Sequence, residues 1–443
     1  MRFDRLARLL AVVPVLLVGS VLVPAAEAAG TPTGPDVSMY QHDTGRPIDW
    51  AAVRRSGQTF AFLKATGGSS RVDPWFTREW AAAGQAGMVR GAYHYADPSQ
   101  GADAQAALVV RTVGSTREQG NLGIALDLES DGGLAPRQLV AWAHAFLDGV
   151  ERRTGRVPIV YSYPYFWQHA MGGDRSFGAY PLWLARYSDT RPDPLPGWTQ
   201  WTFWQHTSSS HLPGIVGYVD HNIMCCSAGT LAALADGRSS AITTLWRRLG
   251  GASGSLGLPL GPETAVAGGW GQTFQRGFVA TTGAYGTFAV LGQVYDRYRA
   301  GGGAGGALGV PTGSQEAVGL GVSRQVFAGG QIVHSAATGA HAVTQPALAR
   351  WLKDGGVRSQ EGLPVAERSG AGQQFVGGGL YRTAAGVRLV PGAIRDRYEE
   401  LGGPSSVLGL PASDAVLVLT ARVVYFEFGN LVEATVGGRH VVV

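Results

Sequence analysis

The chain has 443 residues, of which 15% are charged and 45% apolar, and its formal net charge is +4. That length suits two or three domains, and the apolar fraction excludes a disordered chain. No run of Lys or Arg is long enough to follow a phosphate backbone, so no nucleic-acid partner is expected.

In chain order, Arg2, Arg5 and Arg8 precede an apolar run from Leu9 to Val23, and Ala26-Glu27-Ala28 supplies small residues at −3 and −1 of a cleavage site. This pattern predicts a signal peptide over residues 1–28 and an exported protein. The run is short for a membrane span and contains Pro14, and no other segment could cross a bilayer, so no stable span is expected after cleavage.

Residues 29–230 are expected to form an α/β domain. Its candidate strands are DVSMY (36–40), TFAFLKA (59–65), MVRGAYHY (88–95), LGIALDL (122–128), VPIVYSY (157–163), PLWLARY (181–187), WTFWQH (201–206) and GYVDHN (217–222). Helical patterns over 73–87, 102–118 and 136–154 fall between early strands; the first opens on Asp-Pro and closes on Gly. After the fifth strand such patterns stop. The order predicts a modified TIM-type barrel with fewer helices, (β/α)5(β)3-like, with its chemistry at the carboxyl ends of the strands.

The two cysteines, Cys225 and Cys226, are neighbours. Their Cα atoms are closer than the usual disulfide range, and the pair is too small a ligand set for a metal, so two buried thiols are expected. Residues 231–241 read as a linker.

Residues 242–443 repeat four times. An aromatic residue stands 13 positions before a proline in each copy: Trp246 to Pro259, Tyr298 to Pro311, Trp351 to Pro364 and Tyr398 to Pro411. A second aromatic stretch follows each core, around Phe274, Phe327, Phe375 and Phe426, and reads as a hairpin, so short helix-hairpin units are expected. The doubled glycines after each aromatic suit positive φ at the end of a short helix.

The chemistry concentrates in ALDLE. Asp127 and Glu129 lie two apart at a strand end, so both carboxylates point to one side. Each raises the proton affinity of the other, and a paired acid and carboxylate is what glycosidic cleavage requires. Asp36 and Asp220 stand on the first and last strands, which become neighbours when a barrel closes. Tyr93, Tyr95, Tyr161, Trp183, Tyr187 and Trp204 are candidates to stack on sugar rings, although such residues also build barrel cores.

DVSMYQ, IDWAAVRRSGQTFAFLKAT, DPWFTREWAAAGQAGMVRGAYHYA, ALDLE, PIVYSY, LWLARY and WQHTSSSHLPGIVGYVDHN together resemble glycoside hydrolase family 25, the Chalaropsis-type lysozymes (N-acetylmuramidases), over about residues 35–224. The resemblance implies hydrolysis of the β-1,4 bond from N-acetylmuramic acid to N-acetylglucosamine in peptidoglycan. Carried onto matching positions, it makes Glu129 the general acid, Asp127 its companion, and Asp36 and Asp220 the other acids of the groove, with Tyr93 nearby. KATGG departs from the family's KATEG, so Gly67 lacks a carboxylate often found there, and Pro35 replaces a small apolar residue before the first acid. The motifs LGLP (256), LGVP (308), EGLP (361) and LGLP (408) resemble LGFP repeats, which implies a cell-wall polymer as partner of the C-terminal domain.

The expectation is a secreted, cell-wall-associated, monomeric muramidase needing no cofactor or metal. Glu129, Asp127 and Asp36 are its catalytic residues, and Asp220, Tyr93, Tyr95, Tyr161, Trp183, Tyr187 and Trp204 bind substrate. The rivals are a wall-binding protein without catalysis and a chitin-type glycosidase.

Overall fold

A computed structural model describes residues 30–42, 44–436 and 439–443. The expected signal peptide lies outside the described residues. Among them, no helix is long and apolar enough to cross a membrane.

The first domain contains β1 (Thr33–Val37), α1 (Trp50–Arg55), β2 (Phe60–Gly67), β3 (Arg71–Val72), α2 (Phe76–Gln85), β4 (Val89–Tyr95), α3 (Ala102–Val113), β5 (Ala125–Asp127), α4 (Pro136–Thr154), β6 (Ile159–Ser162), α5 (Pro164–His169), β7 (Leu182–Ala185), β8 (Phe203–Ser210), β9 (Val219–Met224) and α6 (Ala228–Leu234). The sheet runs β1-β9-β8-β7-β6-β5-β4-β2, with β3 as a short flap on β2, and β1 pairs with β2 to close an eight-stranded barrel. Helices follow β1, β2, β4, β5 and β6, and none separates β7, β8 and β9. The five-plus-three plan therefore holds.

Two details differ from expectation. β9 runs antiparallel to both its neighbours, β8 and β1, so the barrel is not wholly parallel. With no crossover helix between β8 and β9, the chain turns straight back. The first strand begins earlier than expected, at Thr33, and Met39–His42 is a 3-10 turn, so Asp36 sits at the end of β1 rather than at its start.

Alternation on the strands builds two cores. Phe60, Phe62, Tyr93, Tyr161, Trp183 and Phe203 fill the barrel, with Phe62 stacked on Trp183 at 4.0 Å. Ala61, Leu63, Val109, Phe146, Leu147 and Trp167 pack between barrel and helices. Gly91 is part of this fit: a Cβ there would lie 2.3 Å from the Phe62 ring.

The repeats are helix-and-sheet units. Their helices are α7 (Ala241–Arg248), α8 (Gly292–Ala300), α9 (Ala347–Lys353) and α10 (Gly392–Glu400), and antiparallel sheets over residues 264–291, 316–344, 372–391 and 416–442 follow them. The sheets have four, four, three and four strands, larger than the single hairpin expected. Each doubled glycine takes positive φ in both residues, as at Gly302 (91°) and Gly303 (59°). The 13-residue spacing has a hydrogen-bonding cause. Trp246 Nε1, Tyr298 OH, Trp351 Nε1 and Tyr398 OH donate to the carbonyls of Gly257, Gly309, Gly362 and Gly409 at 2.7–2.9 Å. Each motif proline then bridges to the aromatic of the following strand: Pro259 to Phe274, Pro311 to Phe327, Pro364 to Phe375 and Pro411 to Phe426.

The junction at 231–241 is not an open tether. Leu231 and Ala235 are buried, and Arg156 donates to the Leu234 carbonyl. The first repeat docks directly on the barrel: Arg247 pairs with Glu151 at 2.8 Å and lies over the Tyr180 ring, and Ser253 N–H donates to the Gly178 carbonyl. Cys225 and Cys226 pack against this repeat's core, and they are not free thiols but a disulfide between neighbours.

Candidate active site

The strand ends on the β5 side of the barrel carry the acids. Asp127 is the last residue of β5, and Glu129 follows two residues on. Leu128, between them, is fixed on both sides: its N–H donates to the Tyr161 carbonyl at 3.1 Å, and its carbonyl accepts from Ser162 Oγ at 2.9 Å. The exit of the chain is thereby held, and both acids face the mouth.

Asp36 and Asp220 come together because β9 is antiparallel to β1, and the two residues are directly opposite in register. Asp36 is buried and held by two amides: Gln205 Nε2 and Asn222 Nδ2 both donate to its Oδ2 at 2.9 Å. Each clamp is itself braced. Tyr161 OH donates to Gln205 Oε1 at 3.0 Å, and Trp183 Nε1 donates to Asn222 Oδ1 at 2.7 Å.

Burial and mutual repulsion dominate the electrostatics. Burial, and then the charge of Asp220, push Asp36 up to about 8, against the two stabilising amides. Burial and then Glu129 push Asp220 up to about 6. Asp127 is held well above the carboxylate range by burial and by the charge of Glu129. Its buried Oδ1 has no hydrogen-bond partner among the described groups. Asp127 therefore holds its proton more tightly than an ordinary carboxyl does.

Glu129 is the acid on the open side. It lines a cleft of about 380 Å³ with Tyr161, Tyr163, Tyr165 and Tyr187, and an adjoining one of about 440 Å³ that reaches His169. Tyr165 is 70% exposed and Tyr187 59%, so both offer free ring faces. A small cavity of about 60 Å³ lies at the opposite end of the barrel, between Arg156 and Trp246, and none of the four acids lines it.

Of the expected site residues, the fold brings Asp36, Asp127, Glu129, Asp220, Tyr93, Tyr95, Tyr161 and Tyr187 to the mouth. Tyr95 and Tyr161 flank Asp127 in register, and Lys64 Nζ lies 4.7 Å from the Tyr95 ring centre. Two residues are corrected. Trp183 is buried in the barrel interior, where it braces Asn222, and Trp204 faces outward between barrel and helices, its Nε1 donating to the Arg186 carbonyl. Phe203 and Gln205 point inward, so alternation turns Trp204 away. Sequence reasoning missed Gln205, Asn222, Tyr165 and His169. The strand pattern did mark Gln205 as a polar residue at an inward position. Among the described residues, no cluster of His, Cys, Asp or Glu could hold a metal ion.

Residues 35–215 match the model of glycosyl hydrolases family 25, and residues 256–306, 308–359 and 360–406 match the LGFP repeat. YegX, an uncharacterized protein of Escherichia coli, is 38% identical over 47% of this chain and 75% of its own. The N,O-diacetylmuramidase of Chalaropsis sp. is 32% identical over 44% of this chain and 96% of its own. The crystal structure of the bacterial lysozyme from Streptomyces coelicolor, 32% identical, aligns with 47% of this chain and 99% of that one at a TM-score of 0.45. With a relative 38% identical over three quarters of its length and a family model that covers Asp36, Asp127 and Glu129, the chain belongs to glycosyl hydrolases family 25.

Proposed function

We propose that this chain is an exported muramidase that hydrolyses the β-1,4 bond from N-acetylmuramic acid to N-acetylglucosamine in peptidoglycan. The observation that carries the reading is the division of labour between Asp127 and Glu129: one is buried with its proton held, the other opens on a tyrosine-lined cleft. Glu129, open to the cleft where Asp127 is too buried to reach, gives a proton to the leaving glycosidic oxygen as the bond breaks, and the water that then adds to the sugar carbon returns a proton to it. Asp127, with its unpartnered Oδ1, positions the N-acetyl group of the sugar whose bond breaks. Asp36 and Asp220 supply negative potential against the positive sugar centre. Tyr93, Tyr95, Tyr161 and Tyr187 line the sugar path, and Trp183 and Trp204 act from behind it. The lysozyme and N,O-diacetylmuramidase names of its relatives support this substrate.

Residues 29–230 form the catalytic unit in this proposal. Residues 242–443 hold the enzyme at the wall through their LGFP repeats, and the segment between them docks one to the other.

The test gives wild type and Glu129→Gln insoluble walls and identifies the new reducing ends. Wild type should release muramic acid ends, and the variant should lose about 10³-fold in rate with an unchanged melting temperature. Equal rates would reject the role of Glu129; no product from either would favour a wall-binding protein. A truncation after Leu291, which keeps the first repeat on the barrel, should still cut soluble fragments but sediment less with walls. Undiminished sedimentation would reject the anchoring role.

A further inference from the structure

The cleft beside Glu129 does not end at Tyr187. Pro164 and Arg186 line both it and a second cleft of about 450 Å³ that runs under residues 188–196. Gln168, Arg191 and Asp193 add to the polar part of its wall, with the hydroxyls of Ser188 and Thr190. The steps of bond cleavage use none of them.

The two guanidiniums of this cleft are uncommitted. Among the described residues, neither Arg186 nor Arg191 forms an ion pair with an acid, and both are exposed. Tryptophans nevertheless fix the backbone of the first and the guanidinium of the second. Trp204 Nε1 donates to the Arg186 carbonyl at 2.7 Å, and the Arg186 N–H donates to the Gln205 carbonyl at 3.0 Å. Trp201 lies under the Arg191 guanidinium, 4.8 Å from ring centre to carbon, and its Nε1 donates to the Pro192 carbonyl at 3.1 Å. Pro192, Pro194 and Pro196 stiffen the stretch that follows Arg191. A guanidinium stacked on a ring keeps its edge free for two parallel hydrogen bonds to a carboxylate.

Two cations, one carboxylate and a side-chain amide suit a chain that carries carboxylates and an amine better than they suit neutral sugar rings. We propose that the second cleft is a subsite for the peptide stem borne on the lactyl group of muramic acid, with Arg186 and Arg191 taking its carboxylates and Asp193 facing its amine. The subsite rests on the muramidase reading and deepens it: the enzyme selects glycan that still carries its peptides. It also assigns work to Trp204, which positions Arg186 rather than touching sugar.

The test compares two soluble glycans of equal length, one with its stem peptides and one stripped of them by an amidase, cut by the full chain. Wild type should cut the peptide-bearing glycan with a kcat/KM about tenfold higher, the scale of one well-placed charged contact. Arg191→Ala should bring that ratio close to one, Arg191→Glu should invert it, and Arg191→Lys should restore part of it. Equal cutting of both glycans by wild type would overturn the subsite. So would a loss in Arg191→Ala that is the same on both substrates, which would mark Arg191 as a support for the loop. Failure of wild type to cut either glycan would instead sink the muramidase reading beneath it.

Discussion

In the barrel mouth, Asp36, Asp127, Glu129 and Asp220 face one another with no Lys or Arg at ion-pair distance among the described residues; the nearest cation that acts on them, Lys64, lies against the Tyr95 ring. In the repeat array several acids have cations, although the buried Glu361 forms no ion pair among the described residues. Glu367 pairs with Arg297 at 2.6 Å, Glu316 with Arg324 at 2.8 Å, and Asp414 with Arg350 at 3.1 Å. The Arg297 and Arg350 pairs each link one repeat to the next. The two regions share residue types but not their use. Where a carboxylate ties elements together, it is given a partner and left half-exposed. In the barrel mouth Asp36 and Asp127 are buried beside other acids, and the fold bears the cost.

That cost is measurable, and it gives the largest effect on stability. Asp36 is raised from an ordinary value near 3.8 to about 8. The folded chain thus keeps a proton that the unfolded chain releases, and stability falls as pH rises from about 4 through about 8. One group shifted this far sets a ceiling of about 6 kcal/mol, shared in part with Asp220. Asp36→Asn keeps an oxygen for both clamping amides and removes the titration. Its urea midpoint should exceed that of wild type at pH 8 and converge with it near pH 4, while activity is lost. Parallel pH profiles for the two proteins would break the contrast between mouth and repeats.

The next effect tests whether the clamp serves chemistry as well as stability. Asn222 holds Asp36, accepts from Trp183 and donates to the Gly34 carbonyl at 3.1 Å. Asn222→Ala leaves the buried Trp183 N–H and the Gly34 carbonyl short of partners, which costs about 2–3 kcal/mol. It also frees Asp36, so kcat should fall about tenfold in protein shown by circular dichroism to be folded. A destabilised variant with unchanged kcat would mean that the placement of Asp36 does not matter to the reaction.

The same contrast explains which features could be read before the fold was in view. Asp127 and Glu129 announce themselves because two acids end an otherwise apolar strand, and strand alternation alone puts them on one side. Asp36 and Asp220 could be placed on neighbouring strands by closure, but their direct opposition depends on β9 reversing, which no residue in GYVDHN signals. Gln205 and Asn222 occupy inward positions, yet alternation says which way a side chain points and not what it meets. Trp204 misled because aromatic character outweighed its outward register. Cys225 and Cys226 misled because backbone spacing argued against bridging, while their contacts with the first repeat's core were invisible. The repeats were the most open to reading, since one hydrogen bond from an aromatic tip to a glycine carbonyl, made four times, imposes one spacing four times.

The smallest effect concerns the ties between repeats. Arg350 reaches from α9 to Asp414 of the following repeat and also donates to the Val387 carbonyl at 2.9 Å. Both partners of the ion pair are partly exposed, so water and salt screen it, and pairs of this kind are worth about 0.5–1 kcal/mol. Asp414 keeps a second partner in the Leu389 N–H at 2.7 Å and is not stranded when the arginine goes. Arg350→Ala should therefore lower the repeat array's melting temperature by only a few degrees, less so in high salt, and leave cleavage of soluble glycan untouched. A loss well beyond that range, or a fall in cleavage rate, would mean that barrel and repeats unfold as one cooperative body. The docking of the first repeat through Arg247 and Glu151 would then be the contact to cut next, because it is where the two regions meet.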